Sequence, residues 1–242
     1  MTIERELVIG RTPLSPLVFL HDGLGSLGLW RDFPGRVADA LGGRTSLVFS
    51  RRGYGRSAPV SLPRPITYMH DEAFDALPAL LHDHGIDRPV LIGHSDGASI
   101  AILYAGAGLA VDSLVLLSPH VFVERRSIEG IEAAAVAYDT GDLRDRLARH
   151  HSNVDVAFRG WNDVWSSPEF AAWDITSSLP SITCPTLVIQ EEGDAYGTLA
   201  QLDAIESGAG GPVSRLVLPG AGHSPHVDWP DEVIDAIVRH LS

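Results

Sequence analysis

A serine, an acid and a histidine able to pass one proton between them recur in this 242-residue chain, each just beyond a short apolar run. The serine is Ser95, at the centre of Gly93-His94-Ser95-Asp96-Gly97, with the apolar run 89–92 before it and the Ala/Ile/Leu-rich run 98–104 after it. Apolar residues too few for a helix, then Gly-x-Ser-x-Gly, then a helical run predict strand, sharp turn and helix. Such a turn strains the serine backbone and lifts its hydroxyl clear of the sheet edge. Gly93 and Gly97 let strand and helix approach on either side.

A serine hydroxyl attacks only when a base takes its proton and an acid orients that base. Asp194 follows the run 186–189 in Gln190-Glu191-Glu192-Gly193-Asp194, where Glu191 and Glu192 compete for the acid role. His223 follows the run 215–218 in Pro219-Gly220-Ala221-Gly222-His223, with His226 as the competing base. His120, just past the run 114–117, is placed to contact substrate or to hold a structural hydrogen bond. Trp161 and Trp165 are further substrate-contact candidates, equally suited to a core. His150 and His151 lack a third ligand at metal spacing, so no metal is expected.

The elements that must present these residues read as an α/β fold. A first outer strand is expected over 3–9, firm strands at 17–20, 46–49, 89–92, 114–117, 186–189 and 215–218, and helices near 29–41, 71–84, 198–207 and 231–241. Strands apolar on both faces and alternating with helices predict a mostly parallel central sheet with helices on both faces. Functional loops then gather at the strands' C-terminal ends. Residues 121–182 break the alternation with helical stretches at 128–138 and 143–151 and three tryptophans. An insertion of that length is expected to cap a functional face. The division is therefore a core of 1–120 and 183–242 and a helical lid of 121–182.

The strand-Gly93-His94-Ser95-Asp96-Gly97-helix unit, the post-strand Asp194, the Gly220-Ala221-Gly222-His223 loop and Gly53-Tyr54-Gly55-Arg56-Ser57 together resemble the serine branch of the α/β-hydrolase superfamily. The resemblance implies an esterase-like serine hydrolase with Ser95 as nucleophile, His223 as base then acid, and Asp194 as orienting carboxylate. It also implies an oxyanion hole made by the backbone N–H of Asp96 and one from the loop starting at His21. The common His-Gly pair is here His21-Asp22-Gly23, so Gly23 or Leu24 supplies the second donor, Gly23 being preferred; a carboxylate at position 22 is a departure with no evident role. The implied reaction cleaves a small ester, thioester or lactone through an acyl-enzyme. Carbon–carbon hydrolases, cofactor-free perhydrolases and triad-retaining ligand receptors share the architecture, so fold alone does not fix the chemistry.

A rival reading rests on Gly23-Leu24-Gly25-Ser26-Leu27-Gly28 after a strand, with Arg51-Arg52 able to receive a 2′-phosphate. That is an NADP-type fingerprint, but it leaves Ser95, Asp194 and His223 unexplained. The net charge of −13 argues against nucleic acid or an anionic membrane as partner, and favours small molecules. All 18 basic residues are arginine, which excludes lysine Schiff-base, pyridoxal phosphate and P-loop chemistry. No cofactor is expected. Cys184 is the one cysteine, so no intramolecular disulfide forms. With neither a signal-peptide pattern nor a membrane-length apolar run, the expected location is the cytoplasm. The apolar insertion favours an apolar substrate group, while Arg125, Arg126, Arg149 and Arg159 leave room for a carboxylated one. Oligomeric state is not written in the sequence.

Overall fold

The structure, a computed structural model, describes residues 2–242. Seven strands form one sheet: β1 (Arg5–Val8), β2 (Leu17–Leu20), β3 (Ser46–Phe49), β4 (Val90–His94), β5 (Ser113–Leu117), β6 (Thr186–Glu191) and β7 (Val213–Leu218). Their spatial order is β1-β3-β2-β4-β5-β6-β7, with β1 antiparallel to β3 and every other pairing parallel. Every residue of the strands β2 to β6 is buried, as two-sided covering demands, whereas β1 is exposed throughout. β4 lies near the middle of the sheet, so the turn that follows it opens at the sheet's C-terminal edge.

Helices cover both faces: α1 (Phe33–Ala40), α2 (Tyr68–Asp71) running through a wide π-helical turn (Glu72–Ala76) into α3 (Leu77–Asp83), and α4 (Asp96–Gly106). Beyond β5 come α5 (Arg125–Thr140), α6 (Leu143–Ala148) and α7 (Val154–Trp165), and beyond β6 come α8 (Ala200–Gly208), α9 (Pro225–Asp228) and α10 (Pro230–Leu241). Two apolar cores result. One joins α4 and the insertion helices to Leu91, Leu114 and Leu116; the other joins α1 and α10 to Ile92, Val115 and Leu117. Alternate residues of a single strand feed opposite cores.

Three elements differ from the expected ones. The helix read at 29–41 divides into a 3₁₀ turn (Leu27–Trp30) and α1, because Pro34 belongs in a first helical turn and Arg31 takes a φ of 53° between the two. β6 extends to Glu191, which places Glu191 inside the sheet. α7 is unannounced: its β-branched and aromatic residues and Gly160 are poor helix formers. It forms nevertheless, since Val154, Ala157, Phe158, Trp161 and Trp165 fall on one buried face. Asn153 caps it by accepting the Val156 N–H at 3.1 Å.

Candidate active site

Ser95 occupies the turn between β4 and α4 with φ 53° and ψ −117°, a strained conformation for a residue with a side chain. The strain is held from three sides. The Ser95 N–H donates to the Leu117 carbonyl at 2.9 Å, and the Ser95 carbonyl accepts from Ala98 and Ser99 at 2.8 and 3.1 Å. A Cβ at Gly97 would strike the Leu20 and His21 backbone, and one at Gly93 would strike Gly97 and Ala98, so both glycines are required by close approach.

His223 reaches Ser95 from the loop after β7, its Nε2 lying 2.9 Å from the Ser95 Oγ. Its Nδ1 lies 2.9 and 2.8 Å from the two carboxylate oxygens of Asp194. The tautomer that satisfies both contacts carries its proton on Nδ1 and leaves Nε2 to accept from the serine hydroxyl. Asp194 is fully buried, and its Oδ1 also accepts the Tyr196 N–H at 2.8 Å. Burial alone would raise its carboxyl, but the facing His223 and the Tyr196 N–H outweigh it and hold the group below its ordinary value.

The competing residues are engaged elsewhere. Glu191 accepts the Gly222 N–H at 2.9 Å and so ties down the loop that carries His223, while Glu192 is exposed. His226 is packed among Trp30, Phe33 and His94, and burial holds its imidazole well below the ordinary value.

Gly23, Leu24, Ser95, His120, Trp161, Trp165 and His223 line one cavity of about 210 Å³, together with Asp22, Ser127, Ile131, Tyr196 and Ser224. The sequence candidates thus converge, with Asp96 directly behind the serine. Leu24 N–H is already directed at the Asp22 Oδ2, 3.3 Å away, whereas Gly23 N–H and the α4-leading Asp96 N–H have no acceptor among the described residues. Trp161 lies over Gly23 so closely that only glycine fits there. His120 lies between Trp165, edge-on at a ring distance of 5.3 Å, and His223, tilted at 5.6 Å, and burial drives its imidazole down to about 3.

Arg51 has a different place from the one the dinucleotide reading gives it. Its side chain is completely buried, donates to the Asp22 carbonyl at 2.7 Å and the His21 carbonyl at 3.3 Å, and lies 3.7 Å from the Asp96 carboxylate. It therefore braces both segments that carry the free N–H groups, and a 2′-phosphate has no access to it. The four insertion arginines also stand away from the cavity. Arg125 pairs with Glu129, Arg126 donates to the Gly193 carbonyl, Arg159 pairs with Asp139, and Arg149 is exposed.

Sequence reasoning passed over Tyr196, Ser127, Ile131 and Ser224. Tyr196 stands against the His223 ring at 4.7 Å, and its position two residues past the acid was the available signal. Ser127 and Ile131 share one face of α5 at helical spacing, which becomes informative only once the helix is docked. Among the described residues no group of three or more His, Cys, Asp or Glu side chains is arranged to hold a metal ion, and no helix is long and apolar enough to cross a membrane.

The sheet, the elbow and the three converging loops define an α/β hydrolase, and the model of the alpha/beta hydrolase family matches residues 17–236; the chain belongs to that family. Among curated relatives it is 28% identical to Esterase YbfF of Escherichia coli (strain K12), over 94% of this chain and 93% of that one. Among solved structures, a proline iminopeptidase of Mycobacterium smegmatis aligns with a TM-score of 0.74 at 20% identity, over 98% of this chain and 93% of that one. An enol-lactonase from Burkholderia xenovorans LB400 aligns with a TM-score of 0.74 at 19% identity, over 99% of this chain and 96% of that one.

Proposed function

We propose that the protein is a serine hydrolase that cleaves a small ester, thioester or lactone through an acyl-enzyme on Ser95. The observation that carries this reading is the unbroken relay Ser95 Oγ, His223 Nε2, His223 Nδ1 and Asp194, with contacts of 2.8–2.9 Å throughout. Ser95 attacks the carbonyl as its proton passes to His223. Asp194 holds the tautomer and stabilises the imidazolium. The N–H groups of Gly23 and Asp96, both without an acceptor among the described residues, receive the oxyanion. His223 returns the proton to the leaving group, and water then repeats the sequence on the acyl-enzyme. The esterase and lactonase names among the similar proteins accord with this reaction class.

Residues 121–182 act as the cap over this site. Trp161 and Trp165 on α7 and Ser127 and Ile131 on α5 close the cavity above Ser95. Its volume of about 210 Å³ suits a small acyl or alcohol group, and its indole and phenol walls suit an apolar one. Ser95→Ala is expected to lower turnover of an activated short-chain ester by at least ~10³-fold, with the fold intact by circular dichroism. Turnover within a few-fold of wild type would overturn the assignment.

A further inference from the structure

The catalytic cavity has an acidic wall and no basic one. Asp22 lines it with a side chain about 30% exposed, its Oδ2 accepting the Leu24 N–H and its Oδ1 within hydrogen-bond range of no donor among the described residues. The other ionisable groups lining the cavity are His120, His223 and Tyr196. His120 is kept neutral by burial, which also pushes the Tyr196 phenol up, and His223 works as a base in its neutral form. A second carboxylate, Asp194, stands directly behind His223.

Two cationic candidates stand nearby, and one of them, the Arg51 guanidinium behind the Asp22 backbone, is matched by the Asp96 carboxylate 3.7 Å away; the other is His94. Its Nδ1 is 3.7 Å from the Asp22 Oδ1, beyond hydrogen-bond range, and its Nε2–H donates to the His223 carbonyl at 2.6 Å. Even with His94 protonated, the two carboxylates Asp22 and Asp194 leave the surroundings of Ser95 with net negative charge. No arginine lines the cavity. An anionic substrate therefore meets repulsion with no compensating partner, and a developing oxyanion forms near a carboxylate that opposes it. A positive charge on the substrate removes both penalties. The walls agree, since Trp161, Trp165 and Tyr196 line the cavity, and aromatic rings attract ammonium groups.

We propose that the substrate carries a cationic, ammonium-type group close to its scissile carbonyl, and that Asp22 is the counter-charge that selects it. This rests on the serine-hydrolase reading above. Asp22 is thus the functional reason for departing from the usual His-Gly pair in the oxyanion loop.

Isosteric esters that differ only in charge provide the test. On the alcohol side, butyrylcholine is compared with 3,3-dimethylbutyl butyrate; on the acyl side, the phenyl ester of glycine betaine is compared with phenyl 3,3-dimethylbutanoate. Because an ammonium beside the carbonyl also activates the ester toward any nucleophile, each kcat/KM is divided by the rate constant for alkaline hydrolysis of the same ester; in at least one pair this normalised wild-type value is expected to favour the cation by about 10–100-fold, the worth of one charge-assisted contact. Asp22→Asn should bring that ratio close to one. A wild-type preference for the cation in neither pair, or a ratio unchanged by D22N, overturns the proposal and leaves Asp22 as a counter-ion to His94. The wild-type comparison stands even if D22N does not fold. Turnover of a neutral phenyl ester in parallel separates the two readings: its presence without cation preference defeats only the proposal about Asp22, and its absence, with Ser95 unreactive, defeats the serine-hydrolase reading itself.

Discussion

At the scale of single residues, the relay depends on neighbours that do no chemistry. His94, next to Ser95 in the chain, donates its Nε2–H to the His223 carbonyl at 2.6 Å and so joins the Ser95 turn to the His223 loop. We expect His94→Ala to lower kcat by about 10–100-fold with little change in KM, because loosened positioning of the base costs on that order. His94→Gln, which can keep a donor, should recover part of the loss. Equal loss in both variants, or a change confined to KM, would contradict a positioning role. Ser95, Asp194 and His223, the triad we propose, could be picked out in the sequence because each follows an apolar run and needs no long-range information to be found. Arg51 was not. Nothing in Ser50-Arg51-Arg52-Gly53 tells that one arginine turns wholly inward to the His21 and Asp22 carbonyls while its neighbour does not.

At the scale of elements, the helices inserted after β5 are tied to the Ser95 turn by a buried chain of polar groups. The Trp165 indole N–H on α7 donates to the Tyr68 hydroxyl at 3.0 Å, and that hydroxyl donates to the Asp96 carboxylate at 2.5 Å. Asp96 leads α4, where a carboxylate also complements the helix N-terminus. Tyr68→Phe removes the hydrogen-bond partner of the buried indole N–H and leaves the Asp96 oxygen facing only Arg51 at 3.7 Å, and is expected to destabilise the fold by about 1–3 kcal/mol in urea denaturation. An unchanged midpoint would show that the link carries no stability. The sheet was readable strand by strand, since each central strand holds a run of three or four apolar residues. α7 was not, because its buried face exists only once Tyr68, Trp173 and the cavity wall are in place. The π-helical turn at Glu72–Ala76 was equally invisible, though it continues the helix that brings Tyr68 to Asp96.

At the scale of the whole molecule, buried histidines set the response to acid. Burial holds His21, His120, His151 and His226 below their ordinary 6.5, His120 at about 3, and lowers the partly buried His70 and His240 as well. Below pH 6.5 the unfolded chain takes up protons on these groups while the folded one resists, so their stabilisation is full above 6.5 and drains away as pH falls toward the folded values. His21, His120 and His226 each contribute up to about 1.4 kcal/mol per pH unit within their windows. His94 acts oppositely: burial lowers it, but Asp22 and the His223 carbonyl outweigh that and raise it, so its contribution is present below 6.5 and lost as pH rises through the raised value. Asp22 and Asp194, held below the ordinary 3.8, withdraw further stability once pH falls under that value. Six lowered imidazoles against one raised, offset in part by Glu72, Asp96 and Glu191, whose carboxyls burial raises, give a Tm that is lower at pH 4 than at pH 6.5 by scanning calorimetry. A flat Tm across that range would contradict the burial described for His21, His120 and His226.

The central claim, that Ser95 is an activated nucleophile, is met most directly by a fluorophosphonate, which phosphonylates a serine only where a base has taken its proton and an oxyanion hole receives the product. Peptide mass spectrometry of the treated protein is predicted to find one adduct per chain, on Ser95, and none in Ser95→Ala. A folded wild-type protein left unmodified at Ser95 would contradict the account.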